Sequence, residues 1–128
     1  MREDDVAQLR EDLHADRAWV REHAAVRLGQ LEAAEALPDL EERLASDPDA
    51  WVRARSAEAL GAIAVPGTAG LVVGALDDES IDVRLAAVGA LARIGGRGAS
   101  DALESLRDAP ELLVRGAVSD ALRRLEGR

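Results

Sequence analysis

Val52-Arg53-Ala54-Arg55-Ser56-Ala57-Glu58-Ala59-Leu60-Gly61-Ala62-Ile63 is the stretch that decides the fold. Val52, Ser56, Leu60 and Ile63 recur at the spacing of one face of an α-helix. The same series appears three more times: Val20, Ala24, Leu28, Leu31; Val83, Ala87, Leu91, Ile94; and Val114, Val118, Leu122, Leu125. Each opens on a Val-Arg pair, and the four pairs are spaced by 32, 31 and 31 residues. A repeat of about thirty residues with helical spacing inside it signals an α-solenoid, whose units bury their apolar faces only by stacking. Such a fold offers binding surface and rarely carries chemistry by itself.

Outward from the four long helices, each is preceded by a shorter amphipathic one. The shorter helices are marked by Val6, Leu9, Leu13; Leu37, Leu40, Leu44; Ala69, Val72, Leu76; and Ala99, Leu103, Leu106. Eight helices in four hairpins are therefore expected, in one all-α domain over residues 1–128 with repeats at about 4–31, 35–64, 68–94 and 99–126. The punctuation agrees. Asp47-Pro48-Asp49 is expected to cap one long helix, and Asp108-Ala109-Pro110-Glu111 has the spacing of a capping box ahead of another. Pro66-Gly67 and Gly95-Gly96 are expected to end the second and third long helices with left-handed geometry. The third short helix is the weakest, because Gly70 and Gly74 each cost about 1 kcal/mol relative to Ala.

Composition narrows the function classes. The 128 residues contain no cysteine, so no disulfide framework or thiolate metal site is available. Met1-Arg2-Glu3-Asp4-Asp5 lacks the apolar segment of a signal peptide, and no apolar run approaches the roughly 20 residues that cross a bilayer. A cytoplasmic location with no membrane contact is the expectation. The formal charge of −9 argues against a nucleic-acid surface, which draws its affinity from clustered positive charge. All 16 basic residues are arginine, and Trp19 and Trp51 are the only aromatic side chains.

The Val52–Ile63 stretch, with Val20-Arg21-Glu22-His23-Ala24-Ala25-Val26-Arg27-Leu28-Gly29 and Val83-Arg84-Leu85-Ala86-Ala87-Val88-Gly89-Ala90-Leu91, resembles the HEAT-like repeats of the phycobilisome-lyase type. It is also similar to consensus artificial HEAT-like scaffolds. The fourth copy departs at Arg123, where a small residue is usual. The resemblance implies a right-handed superhelical stack with the Val-Arg helices lining a concave face. On that face it implies partner-binding positions at Trp19, Glu22 and His23; Trp51, Arg55 and Glu58; Asp82 and Arg93; and Leu113 and Arg124. The two Trp side chains occupy the same position in adjacent repeats, which puts them about 10 Å apart on one ridge. The resemblance also implies a structural ladder of Arg21, Arg53, Arg84 and Arg115, held by loop acids. Asp16, Asp47, Asp78 and Asp108 are present for that role. Guanidinium forks match carboxylates at two points, so such pairs fix repeat register.

Chemistry-bearing motifs are scarce. HEAT-like deoxyhypusine hydroxylases hold two irons with His-Glu pairs near Glu22-His23, but here the order is reversed. The other copies carry Ala54-Arg55, Leu85-Ala86 and Gly116-Ala117. One reversed pair does not supply the ligands of such a centre, and no metal or other cofactor is expected. The acidic clusters Glu3-Asp4-Asp5, Glu41-Glu42 and Asp77-Asp78-Glu79 lack the alternation and glycine of a calcium loop. Gly95-Gly96-Arg97-Gly98 follows no strand and lacks the Lys-Ser/Thr of a phosphate loop. No catalytic residue is assigned. The reading is a non-catalytic adaptor that binds a protein partner, with Trp19 and Trp51 as anchors. The alternative is an accessory subunit of a covalent-modification enzyme of the phycobilin-lyase type, against which the lack of aromatic residues and Cys counts. The last helix carries Leu112 and Leu113 beside its core residues, and since a solenoid end with exposed apolar surface tends to pair, a homodimer through the terminal helices is a further expectation.

Overall fold

Four long helices stacked side by side form one layer of the protein, and four shorter ones back them. The computed structural model describes residues 2–127, with side chains described over 5–127. Among these residues there are eight α-helices and no strand. The hairpins are α1 (Arg2–Asp12) with α2 (Ala18–Gln30), α3 (Leu37–Ser46) with α4 (Ala50–Ile63), α5 (Ala69–Gly74) with α6 (Ile81–Ile94), and α7 (Arg97–Glu104) with α8 (Leu112–Glu126). Within the long-helix layer α2 packs on α4, α4 on α6 and α6 on α8, while each shorter helix packs on its own long partner. The expected hairpins are thus present with small shifts at their ends. Of the acidic cluster Glu3-Asp4-Asp5, the Glu3 and Asp4 side chains lie outside the described residues.

The apolar series does what its spacing dictates. Ala24 and Leu28, Val52 and Leu60, Val83, Ala87 and Leu91, and Val118 and Leu122 are buried in a core that runs through all four hairpins. That burial supplies most of the stability, because each hairpin has too little apolar area to fold alone. The long helices approach closely through small residues. A Cβ added at Gly29 would lie 3.0 Å from Ala59 Cα, and one at Gly61 would lie 2.7 Å from Ala90 Cα. At the last of these register positions stands Arg123, exposed at the end of the stack and paired with Asp120. Arg27 holds the equivalent of Ala59 and Ala90 at the other end and is also exposed.

Two local expectations are corrected, and the others stand. Asp49 caps α4 as anticipated, its Oδ1 accepting from the backbone N–H of Trp51 and Val52 at 2.9 and 3.1 Å. The capping box at Asp108–Glu111 does not form: Glu111 itself sits at the N-cap of α8, makes no side-chain cap bond, and turns to Arg84 instead. The left-handed residue after α4 is Ala64, with φ 56°, and Gly67 lies within a 3-10 turn at Pro66–Thr68. Helix α4 ends at Ile63, three residues ahead of Pro66, so Gly67 comes too late to serve as the C-cap. Gly95 and Gly96 do take positive φ, 73° and 93°. The glycine-weakened α5 has six residues and is flanked by 3-10 turns at Pro66–Thr68 and Ala75–Asp77.

Candidate functional site

Ladder arginines couple the hairpins in a fixed pattern. Each donates Nη1 to the backbone carbonyl six residues earlier: Arg21 to Ala15 at 2.8 Å, Arg53 to Asp47 at 2.8 Å, Arg84 to Asp78 at 2.8 Å and Arg115 to Ala109 at 3.3 Å. The carboxylate comes from the loop of the following hairpin. Asp47 receives Arg21 at 2.8 and 3.1 Å, and Asp78 receives Arg53 at 3.0 and 3.1 Å. The ladder acid therefore stands six residues before the next ladder Arg, a position held by Asp47, Asp78 and then Ala109. Asp16 and Asp108 lie one residue off that register. Asp16 gives Arg21 its backbone carbonyl at 3.0 Å, and the acid on Arg84 is Glu111, at 2.6 Å, where Asp108 was expected to serve. No described carboxylate pairs with Arg115. Burial pushes the Asp47 and Asp78 carboxyls up, but the arginine hydrogen bonds and a backbone N–H outweigh it and hold both below the ordinary value.

The outward face of the long-helix layer carries the candidate binding residues. A groove of about 550 Å³ runs over α4, α6 and α8. Its floor is Ala54, Ala86, Gly89 and Ala90, and its walls include Trp51, Arg55, Glu58, Asp82, Arg93 and Arg124. A second recess of about 370 Å³ toward α2 shares Arg55, Glu58 and Arg93 with it, so the two join. Small residues at the floor leave room for a guest backbone, and the rim supplies the chemistry.

Trp51 is 49 % exposed and one of its faces is covered by Arg55, whose guanidinium carbon lies 5.2 Å from the ring centroid. Arg55 in turn pairs with Glu22 of the preceding repeat at 3.4 Å and with Glu58 at 3.1 Å. Glu22 thus belongs to a network that orients Trp51. Trp19 is 67 % exposed and is not among the residues lining the groove. His23 is exposed beside it on α2, and Leu113, 66 % exposed, stands at the start of α8. Of the ten expected positions, five line the groove together: Trp51, Arg55, Glu58, Asp82 and Arg93, with Arg124 closing the far end as the sixth. Trp19, Glu22, His23 and Leu113 lie outside it.

Other polar clusters are small. His14 Nε2 lies 3.1 Å from Asp39 Oδ1, and Arg10 Nε donates to Asp39 Oδ2 at 2.8 Å, which ties α1 to α3. Among the described residues no three His, Asp or Glu side chains converge in a metal-binding group. No described helix is long and apolar enough to cross a membrane. A further hollow of about 320 Å³, lined by Leu76, Leu106, Ala109, Pro110 and Val114, opens where the ladder lacks its third aspartate. Nothing in the residue pattern announced it, because Asp108 was expected to fill that place in the ladder.

The chain belongs to the HEAT-repeat family: a family model described as HEAT repeats matches residues 2–61 and 42–123. The fold is similar to human deoxyhypusine hydroxylase in complex with glycerol, with a TM-score of 0.82 and 28 % identity over 96 % of this chain and 44 % of that one. It is also similar to the complex of CpcE and CpcF of phycocyanin lyase from Nostoc, with a TM-score of 0.79 and 18 % identity over 96 % of this chain and 65 % of that one. A designed armadillo repeat protein in complex with the peptide (KR)4 gives a TM-score of 0.73 and 22 % identity over 91 % of this chain and 62 % of that one. The chain therefore spans less than two thirds of each of these structures. Among curated proteins no sequence matches.

Proposed function

We propose that this chain is a non-catalytic adaptor that binds a protein partner on the outward face of α2, α4, α6 and α8. The observation that carries the reading is the groove bounded by Trp51 and Arg124, because it joins a small-residue floor to a half-exposed Trp held in place by Arg55. A Trp already oriented loses little freedom on binding, which is where preorganised surfaces gain affinity. The Arg55 pairs with Glu22 and Glu58 make that surface span two repeats. A cytoplasmic adaptor is the form of this reading that accords with a cysteine-free, acidic chain.

The test is a quantitative pull-down with wild type, Trp51→Ala and Trp19→Ala/Trp51→Ala, each shown by circular dichroism to keep its helical content. A protein retained by wild type and lost with Trp51→Ala supports the adaptor. Equal recovery by all three moves the contact surface off this face. The accessory-subunit alternative makes a separate claim, that added bilin shifts its absorbance on mixing with the protein. The likeness to the lyase chains, at 18 % identity, lends it the fold and no more.

A further inference from the structure

Two of the ladder joints share one pattern, and the joint between the third and fourth hairpins lacks its central piece. At the first joint Asp47 accepts from Arg21 Nε and Nη2 and from the backbone N–H of Asp49. At the second, Asp78 accepts from Arg53 Nε and Nη2 and from the backbone N–H of Ser80. The same backbone position in the third joint is Ala109, whose carbonyl accepts from Arg115 as those of Asp47 and Asp78 accept from Arg53 and Arg84. Its methyl group offers no acceptor. Arg84 is nonetheless engaged: Nη1 is held by the carbonyls of Asp78 and Glu79, and Nη2 by Glu111 at 2.6 Å. What lacks an acceptor among the described residues is Arg84 Nε, together with the backbone N–H of Glu111. In both other joints a single carboxylate serves this pair of donors.

The missing side chain leaves space as well as donors. Arg84, Ala109 and Glu111 line the hollow of about 320 Å³, together with apolar Leu76, Val88 and Val114. Those three belong to the buried core, so an apolar guest that reaches them leaves water for an apolar wall. A cavity of about 150 Å³ lined by such residues takes benzene. The hollow therefore has room for a ring or a branched chain with a carboxylate attached. Asp108 and Glu111 stand exposed at its rim and oppose a second negative charge on the guest. No residue is shared between this hollow and the groove over α4, α6 and α8, so the site is independent of the adaptor reading.

We infer that the hollow between the third and fourth hairpins binds a small monocarboxylate with a compact apolar body. Its carboxylate accepts from Arg84 Nε and the N–H of Glu111, and its body lies against Leu76, Val88 and Val114. The geometry has its precedent at Asp47, where one oxygen takes Arg21 Nε and the other the N–H two residues on. Glu111 keeps Nη2 of Arg84 in this arrangement, so the guest needs no free cation. The two carboxylates then share one guanidinium, and their repulsion weakens the guest. The Arg84–Glu111 pair is itself modest, because the Glu111 side chain is 44 % exposed. Bound in this way, the guest supplies the carboxylate that Asp47 and Asp78 supply at their own joints, and links the last two hairpins.

The experiment is a proton–nitrogen NMR titration of the intact protein with benzoate, isovalerate and the neutral control benzamide. It follows the Glu111 amide and the Arg84 Nε–H on wild type, Ala109→Asp and Glu111→Gln. The expected result is a saturable shift of both signals with the two acids, and binding of benzamide about tenfold or more weaker. Ala109→Asp should complete the ladder from within, raise the urea midpoint and abolish the benzoate shifts. Glu111→Gln, which removes the competing charge, should tighten benzoate by about two- to fivefold. Benzamide binding as well as benzoate would overturn the carboxylate site and leave an apolar hollow. Shifts that survive in Ala109→Asp, or no saturable shift in wild type, would overturn the site altogether. A short peptide ending in Leu that binds more tightly than isovalerate would replace the free acid by the end of another chain. Should Ala109→Asp lose helical content, Glu111→Gln and the benzamide control carry the comparison.

Discussion

Arg21 and Asp47, 26 residues apart, meet in a two-point ion pair with Nε–Oδ2 at 2.8 Å and Nη2–Oδ1 at 3.1 Å, and Asp47 is only 2 % exposed. Asp47 also offers its backbone carbonyl to Arg53, so one residue links the first, second and third hairpins through its two neighbours in the ladder. Removing the acid leaves a buried guanidinium without its partner. Asp47→Ala is therefore expected to destabilise by about 3 kcal/mol, the range for a broken buried pair. Asp78→Ala should cost less, because the Arg53 and Asp78 side chains keep 12 % and 14 % of their exposure. Replacing both members, as Arg21→Met/Asp47→Leu, should cost less than Asp47→Ala alone. Urea unfolding of the four proteins decides it: equal losses for Asp47→Ala and Asp78→Ala would count against the burial argument.

The same pairs set a pH dependence. Asp47 and Asp78 are raised by burial, yet the hydrogen bonds from Arg21 and Arg53 and from the N–H of Asp49 and Ser80 leave both below the ordinary 3.8. The unfolded chain then binds protons more readily than the folded one. The stabilisation is fully present above the ordinary value and is lost as pH falls through the lower folded-state values. Urea midpoints taken from about pH 7 down to about pH 2 should drop at the acid end, and Asp47→Asn should drop less steeply there. Because other carboxylates and the net charge also act on the acid limb, the comparison between the two proteins is the diagnostic quantity. Parallel acid limbs would remove Asp47 from the account.

Close packing between long helices assigns opposite signs to one substitution at two glycines. Gly61 sits where an added Cβ would meet Ala90 Cα at 2.7 Å, a distance backbone atoms cannot absorb without moving α4 off α6. Gly61→Ala should destabilise by about 1–3 kcal/mol. Gly74 closes α5 with φ −57° and ψ −32°, and nothing lies within 4 Å of its added Cβ. Gly74→Ala should stabilise by about 0.5–1 kcal/mol by restricting the unfolded chain and favouring the helix. Thermal unfolding of the two variants gives the signs directly.

Periodicity made the hairpins legible because it reports burial, and burial is what the stack is built on. Val52, Leu60, Val83 and Leu91 carry that signal without help from any neighbouring repeat. The ladder was half legible. Its arginines mark themselves by following Val, but the acids were assigned by loop position, and register to one residue decides which acid reaches. Asp47 and Asp78 are in register, whereas Asp16 and Asp108 are not, and Ala109 leaves Arg84 to Glu111. The same diversion removed the capping box, since one carboxylate cannot serve both a helix end and an arginine across the loop. For the groove, single rim positions could be numbered from Val, yet Ala90 on its floor was missed, because a small residue announces nothing until the facing helices are placed. Trp19 and Trp51 share a register position, but only Trp51 has an Arg one turn on to hold it, so only Trp51 faces the groove in a fixed network.

Ser56 offers a last test, of how far the core tolerates polarity. It holds the position of Ala24, Ala87 and Val118 in the other repeats, all of them fully buried. Ser56 is likewise 0 % exposed, and among the described residues its Oγ has no hydrogen-bond partner. A buried hydroxyl without a partner keeps its desolvation penalty and gains nothing in return. Ser56→Ala removes that oxygen and creates almost no cavity, at a helix-interior site where Ala has the higher propensity. The variant should be more stable by about 0.5–1.5 kcal/mol, read as a higher urea midpoint at unchanged slope. A lower midpoint would mean that the hydroxyl bonds a backbone carbonyl within α4, and that its penalty is already offset in the folded state.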